Sequence, residues 1–166
     1  MQKKFLNEKS GLQGVITIRA YKAGTKELIK KIVQHNLIMA APNVGKDLII
    51  QKLIASFTGV DPFSLHINYG AIGTGQISPS VTDTQLTAET NRTTVSMAED
   101  SSNTIAILQF FFPDTSLLNQ TYYEFGTFVD GTNGANTGQL FNHALFSTPY
   151  VKAAGQDTTI EVDISL

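Results

Sequence analysis

Hydrophobic and polar positions alternate with a period of two along most of this chain, and the elements they predict are strands. Over residues 14–21, Val15, Thr17, Arg19 and Tyr21 alternate with Ile16, Ile18 and Ala20. Ala23-Gly24-Thr25 reads as a turn, and residues 26–39 as the return leg. Leu28, Ile29, Ile32 and Val33 also fit a helical spacing, but Gly24 sits where a short hairpin loop needs it, which favours a strand. Further strands are predicted at 67–72, 92–97, 104–112, 121–130, 139–147 and 158–166. A polar turn is expected over 99–103 and a flexible hairpin loop over 131–138.

One stretch departs from this alternation. Between residues 44 and 57, Leu48, Ile49, Leu53, Ile54 and Phe57 fall on one side of a helix, with Lys46, Asp47, Gln51 and Lys52 away from that stripe. Thr58-Gly59 closes the helix. Together the elements predict a mainly β protein: an antiparallel β-sandwich or partial barrel of about eight strands with one packed α-helix over 44–57. Residues 1–13 lack periodicity and break at Ser10-Gly11, which predicts a flexible or partner-ordered arm before a single domain over 14–166.

The stretch Ile67 to Arg92 organises the rest. It opens as a strand, turns through Gly73-Thr74-Gly75, and crosses a Ser/Pro/Thr-rich loop. The chain then re-enters the body at Leu86, Glu89 and Arg92. Gly73 and Gly75 are expected to supply positive φ at the strand exit. Asp83 turns the loop end and Leu86 pins it. Glu124 lies amid Tyr122, Tyr123, Phe125 and Phe128, where burial is costly without a cation. After Lys52 only Arg92 and Lys152 remain as strong bases. The planar fork of Arg92 suits a carboxylate, so an Arg92–Glu124 pair is predicted to hold this loop against the body. The expected structural site is therefore Gly73, Gly75, Glu89, Arg92 and Glu124.

Composition narrows the chemistry. The 166 residues fit one domain, and there is no cysteine to form disulfides, thiolate metal sites or thiol nucleophiles. Net charge is −2, from 12 basic and 14 acidic residues, so no global basic field recruits nucleic acid. No apolar run follows Met1–Phe5 and none is long enough to cross a membrane as a helix, so neither a signal peptide nor a membrane span is expected. His35, His66 and His143 stand apart without metal-ligand spacing and read as three unrelated surface or boundary residues. Val44-Gly45-Lys46 lacks the earlier glycine of a phosphate loop and is followed by Asp47. Gly70, Gly73 and Gly75 have the wrong order for a dinucleotide fingerprint. Asp130-Gly131-Thr132-Asn133-Gly134 has too few acids for a calcium loop and fits a hairpin turn. No catalytic residue, metal or cofactor is expected.

Three groups of residues carry a likeness. Asn36-Leu37-Ile38 before a helix, Tyr69-Gly70-Ala71-Ile72-Gly73-Thr74-Gly75, and Asp83-Thr84-x-Leu86-x-x-Glu89-x-x-Arg92 together resemble small tailed-bacteriophage virion proteins. Tyr123-Glu124-Phe125-Gly126, Leu140–Ala144 and Ile160–Ile164 are compatible with the same pattern, which covers Gln34 to Leu166. The resemblance implies a non-enzymatic β-sandwich on the virion, at the tail, neck or collar, or fibre base, in contact with neighbouring virion proteins and copies of itself. A capsid-surface decoration protein is the alternative within that class. Outside it stands a glycan-binding module that stacks sugars on Tyr122 or Tyr123 beside the 131–138 loop.

Overall fold

The computed structural model describes residues 11–50, 66–102 and 104–165. Eight strands run in the order β1 (Gln13–Lys22), β2 (Leu28–Ile38), β3 (Ile67–Gly73), β4 (Glu89–Ser102), β5 (Ile105–Phe112), β6 (Thr121–Val129), β7 (Gln139–Val151) and β8 (Gln156–Ser165). A single 3-10 turn, Asp114–Ser116, lies between β5 and β6. Residues 46–50 are helical, and the remainder of the helix predicted over 44–57 falls outside the described residues. So do the first ten residues of the expected arm; Gln13 already belongs to β1.

All neighbouring strands are antiparallel, and they close into a barrel in the order β1-β2-β7-β6-β3-β4-β5-β8. Of the two expected architectures this agrees with the barrel, here fully closed, and excludes the sandwich. Alternation specifies which side chains point inward but not whether the sheet closes, because both architectures bury one face. Closure runs through β4, which pairs first with β3 and then with β5, and through β2, which pairs with β1 and at its end with β7. β4 continues through the polar residues 99–102, paired with β5 and kinked by irregularities at Val95/Met97 and Asp100/Ser102. β7 runs on to Val151 through an irregularity opposite Tyr122/Glu124. Such bulges bend a strand and increase its twist, which a closed sheet requires. The return leg over 28–38 is a strand, as the turn at Gly24 implies; Gly24 itself has φ +71°.

The weakest joint is between β2 and β7, whose ladder holds only Leu37 opposite His143 and Ile38 opposite Asn142. Beyond it the backbones part, and the Gln34 side chain bridges the gap by accepting a hydrogen bond from Ser147 N at 3.0 Å. Pro149 falls in the part of β7 that lacks a β2 partner, where a missing N–H is tolerated.

The barrel interior is apolar and aromatic. Ile16 and Ile18 of β1, Phe110 and Phe112 of β5, Phe125 of β6, Phe146 and Tyr150 of β7, and Ile160 and Val162 of β8 form one buried cluster. Tyr122 joins it, stacked on Tyr150 at 6.3 Å, because the β6 irregularity turns its side chain inward. A second cluster lies on the opposite face of the same wall. There Met39, Ala41, Val44 and Leu86 cover Ala71, Phe128 and Leu140. The barrel thus has one wall clothed on its outside by the segment after β2 and the loop after β3. Leu48, from the helical turn, packs with Ile38, Val129 and Phe141 in a third cluster.

Gly70 is where interior packing depends on the missing side chain: a β-carbon there would lie 2.6 Å from the Phe110 ring and 2.7 Å from that of Phe125. Those two rings pack tilted at 5.6 Å, with no room to retreat in a closed barrel. Replacing Gly70 by Ala should destabilise the fold by about 2 kcal/mol, read as a lowered urea midpoint at unchanged slope. An unchanged midpoint would mean that the barrel interior is looser than these contacts imply.

Candidate functional site

The clothed wall carries the charged residues that stand out in the sequence, and they form two clamps. The first is built on Glu124, which points outward from β6 yet has no solvent exposure. Its Oε1 accepts hydrogen bonds from Gly75 N at 3.0 Å and Ala88 N at 2.7 Å. Its Oε2 accepts one from Thr87 N at 3.0 Å and lies 2.9 Å from His143 Nε2. A carboxylate offers about four acceptor directions, and all four are taken. The other ring nitrogen of His143, Nδ1, lies 3.0 Å from Asp83 Oδ2, and that same oxygen accepts from Ser80 N at 2.9 Å. Both ends of the loop between β3 and β4, and its middle, therefore converge on one buried carboxylate and one buried ring.

Burial alone would raise the Glu124 pKa. The hydrogen bonds from His143, Ala88 and Thr87 outweigh it and hold the carboxyl below the ordinary glutamate value of 4.5. The glycines serve this contact. A β-carbon at Gly73 would sit 2.5 Å from Glu124 Oε1 and 2.5 Å from Ala88 O, and one at Gly75 would collide with the same Oε1 and with Thr87. Neither glycine has positive φ. Their role is close approach to the carboxylate, not the left-handed turn expected from the sequence.

The second clamp is Arg92 with Glu89. The guanidinium donates from Nε to Glu89 Oε1 at 2.6 Å and from Nη2 to Oε2 at 2.8 Å, a two-pronged pair three residues apart. The two side chains are 5% and 1% exposed. Arg92 Nη1 donates to Thr132 O, Thr137 O and Thr137 Oγ1, and Glu89 Oε2 accepts from Asn136 N. The guanidinium also lies over the Phe128 ring at 4.7 Å and the Tyr69 ring at 5.5 Å. Asn68 completes the hold, giving to Gly131 O at 2.9 Å and accepting from Gly131 N at 2.8 Å. The β6–β7 loop, expected to be flexible, is fastened along its length.

The predicted Arg92–Glu124 pair therefore does not form. Arg92 turns to its own strand neighbour and the β6–β7 loop, while Glu124 is matched by main-chain N–H groups and His143. His143 is correspondingly no surface residue; it is fully buried. It lies within the buried run Leu140–Ala144 of β7, at a position facing the same side as Glu124. Lys152 behaves alike at another site. Its side chain is fully buried, with Nζ donating to Asp114 Oδ1 at 2.6 Å and Ala153 O at 2.8 Å. That bond and the Gln156 amide hold the Asp114 pKa below its ordinary value. Both strong bases beyond Lys52 are thus consumed in fastening connections between strands.

On the other wall, formed by β1, β8 and β5, Arg19 Nη2 donates to Glu161 Oε1 and Gln109 Nε2 to Glu161 Oε2, both at 2.9 Å. Burial raises the Glu161 pKa, but these two donors bring it below the ordinary value. The aromatic platform expected at Tyr122 is absent, since that ring is in the core; Tyr123 is partly exposed. No group of three or more acidic or histidine side chains arranged to hold a metal occurs among the described residues. No helix among the described residues is long and apolar enough to cross a membrane.

No family model, curated protein or solved structure matches this chain.

The first clamp has a pH signature. A carboxyl whose pKa is lower in the folded than in the unfolded state adds stability that is present above the unfolded value. That stability is lost as pH falls through the folded value. For Glu124 the loss begins below about pH 4.5. Glu124→Gln removes this contribution and leaves the other carboxyls in place. The stability gap between the native chain and the variant, from denaturant titrations, should be wide at pH 7 and shrink on acidification towards pH 3. A gap independent of pH would show that Glu124 is not held ionised by the loop.

Proposed function

We propose that this chain is a non-enzymatic structural component of a tailed-bacteriophage virion, contacting neighbouring virion proteins and copies of itself at the tail, neck or collar, or fibre base. The observation that carries this reading is the use to which its characteristic residues are put. Gly73-Thr74-Gly75 and Leu86-x-x-Glu89-x-x-Arg92, which bear the likeness to such proteins, are the parts of the two clamps. Gly75 donates to Glu124, Leu86 is buried in the outer cluster, and Glu89 and Arg92 hold the β6–β7 loop. A buried carboxylate such as Glu124, with every acceptor direction taken, has nothing to offer a substrate. It makes a long connection rigid, as a subunit whose loops meet fixed neighbours requires.

The outer surface suits assembly. Ile29 and Val33 of β2 and Val151 of β7 are each at least half exposed, beside the joint where the barrel is least closed. Single exposed apolar residues are ordinary; three of them bordering an incompletely paired seam supply contact area and strand edges for a neighbour. Gold-labelled antibodies raised against the purified chain should decorate intact virions from the lysate in which it is made, at one end of the tail or at the neck. Label confined to the soluble fraction, with bare virions, would overturn the proposal.

A further inference from the structure

The wall formed by β1, β8 and β5 carries a groove of about 600 Å³ lined by strand side chains and the Gly24–Lys26 turn. We propose that this groove binds a neutral carbohydrate, its C–H face laid on Phe111 and Tyr21 and its hydroxyls bonded by Arg19, Gln109 and Glu161. The proposal is independent of where the protein resides.

Three features of the groove select that chemistry. The first is its aromatic rims. Phe111 is 41% exposed and Tyr21 partly so. Phe111 stands opposite Thr159, and Tyr21 opposite Asp157, on the two flanks of β8. The aromatic residues are thus two strand spacings apart and offset by two residues along β8, about 12 Å in all, with polar side chains as the floor between them. Ring faces bind C–H surfaces, and a hydroxyl or amide beside them fixes orientation.

The second feature is a floor already ordered before a ligand arrives. Arg19 and Gln109 each donate one bond to Glu161, and the Arg19 and Glu161 side chains are only 23% and 16% exposed. Each keeps unused capacity: the remaining guanidinium N–H groups, the Gln109 carbonyl oxygen and the Thr159 hydroxyl bond no described residue. Adjacent fixed donors and acceptors are what a pair of neighbouring sugar hydroxyls needs, since each hydroxyl both gives and accepts. Ordering these long side chains in advance removes part of the entropic cost of binding.

The third feature is what the groove disfavours. Arg19 and Lys26 are balanced by Asp157 and Glu161, so neither an anion nor a cation gains from net charge. β1, β8 and β5 each have hydrogen-bonded neighbours on both sides, leaving no strand edge there for an extended peptide to join. Recognition must run through side chains and ring faces. This is not the platform the sequence suggests around Tyr122, which is buried; it lies on the opposite wall.

The test is saturation-transfer NMR on the purified full-length chain. The probes are maltose, cellobiose, lactose, N,N′-diacetylchitobiose and mannobiose at millimolar concentration, with adenosine as a planar comparison. At least one disaccharide should receive saturation. Its affinity should fall roughly tenfold in Phe111→Ala and in Gln109→Leu, with melting temperatures unchanged from the native chain. Two substitutions on different strands guard against a fold defect in either. No transfer to any disaccharide from the folded native chain would overturn the proposal. So would binding of adenosine alone, or sugar binding that survives both substitutions.

Discussion

A carboxylate with no exposure to water, pointing away from the core, is the constraint on which this barrel's clothed wall depends. Left unmatched, Glu124 would cost several kcal/mol to bury. The chain meets that cost with main-chain N–H groups from both ends of one loop and with a buried imidazole. Those bonds oblige the loop to close over the sheet, and closure in turn requires glycine at 73 and 75. It also buries Leu86 over Ala71, Phe128 and Leu140. One charge thereby dictates loop path, backbone composition and the outer apolar cluster.

The same device recurs with other partners. Arg92 and Glu89 neutralise each other and spend their spare donors and acceptor on the β6–β7 loop. Lys152 and Asp114 tie the connection after β5 to the turn before β8. Buried ion pairs of this kind contribute little net stability against an apolar replacement, but losing one partner is severe, so they specify a single arrangement. The division of labour is spatial. The Glu124 and Arg92–Glu89 clamps gather over β3, β4, β6 and β7 and Lys152–Asp114 sits at one end of the barrel, while the wall of β1, β8 and β5 presents its polar and aromatic side chains outward.

Much of this fold was legible in the alternation of Ile16, Ile18 and Ala20 with polar neighbours, and of Ile160 and Val162 with theirs, because a half-buried strand imposes period two on its sequence. Full barrel closure was not, since it depends on which strands pair, β4 with both β3 and β5 and β2 with β7, and alternation carries no partner choice. That Glu124 needed a partner could be read from its aromatic surroundings. Which partner could not: most of the compensation comes from backbone amides, which any residue supplies, and from a histidine on the next strand of the sheet. Arg92 was the nearest strong base by composition, yet Glu89, three residues away, holds it at lower entropic cost. Of the five residues singled out in advance, all lie on the clothed wall, but they divide between two clamps.

The most direct measurement of this account is residue-resolved amide hydrogen exchange on the native chain and on Glu124→Ala. The Gly75, Thr87 and Ala88 amides should be protected together in the native chain and exchange much faster in the variant, while the β1 and β8 amides that pair with each other keep their protection. Fast exchange of those three amides in the native chain, or a uniform loss across the barrel in the variant, would contradict the claim that one buried carboxylate closes the loop.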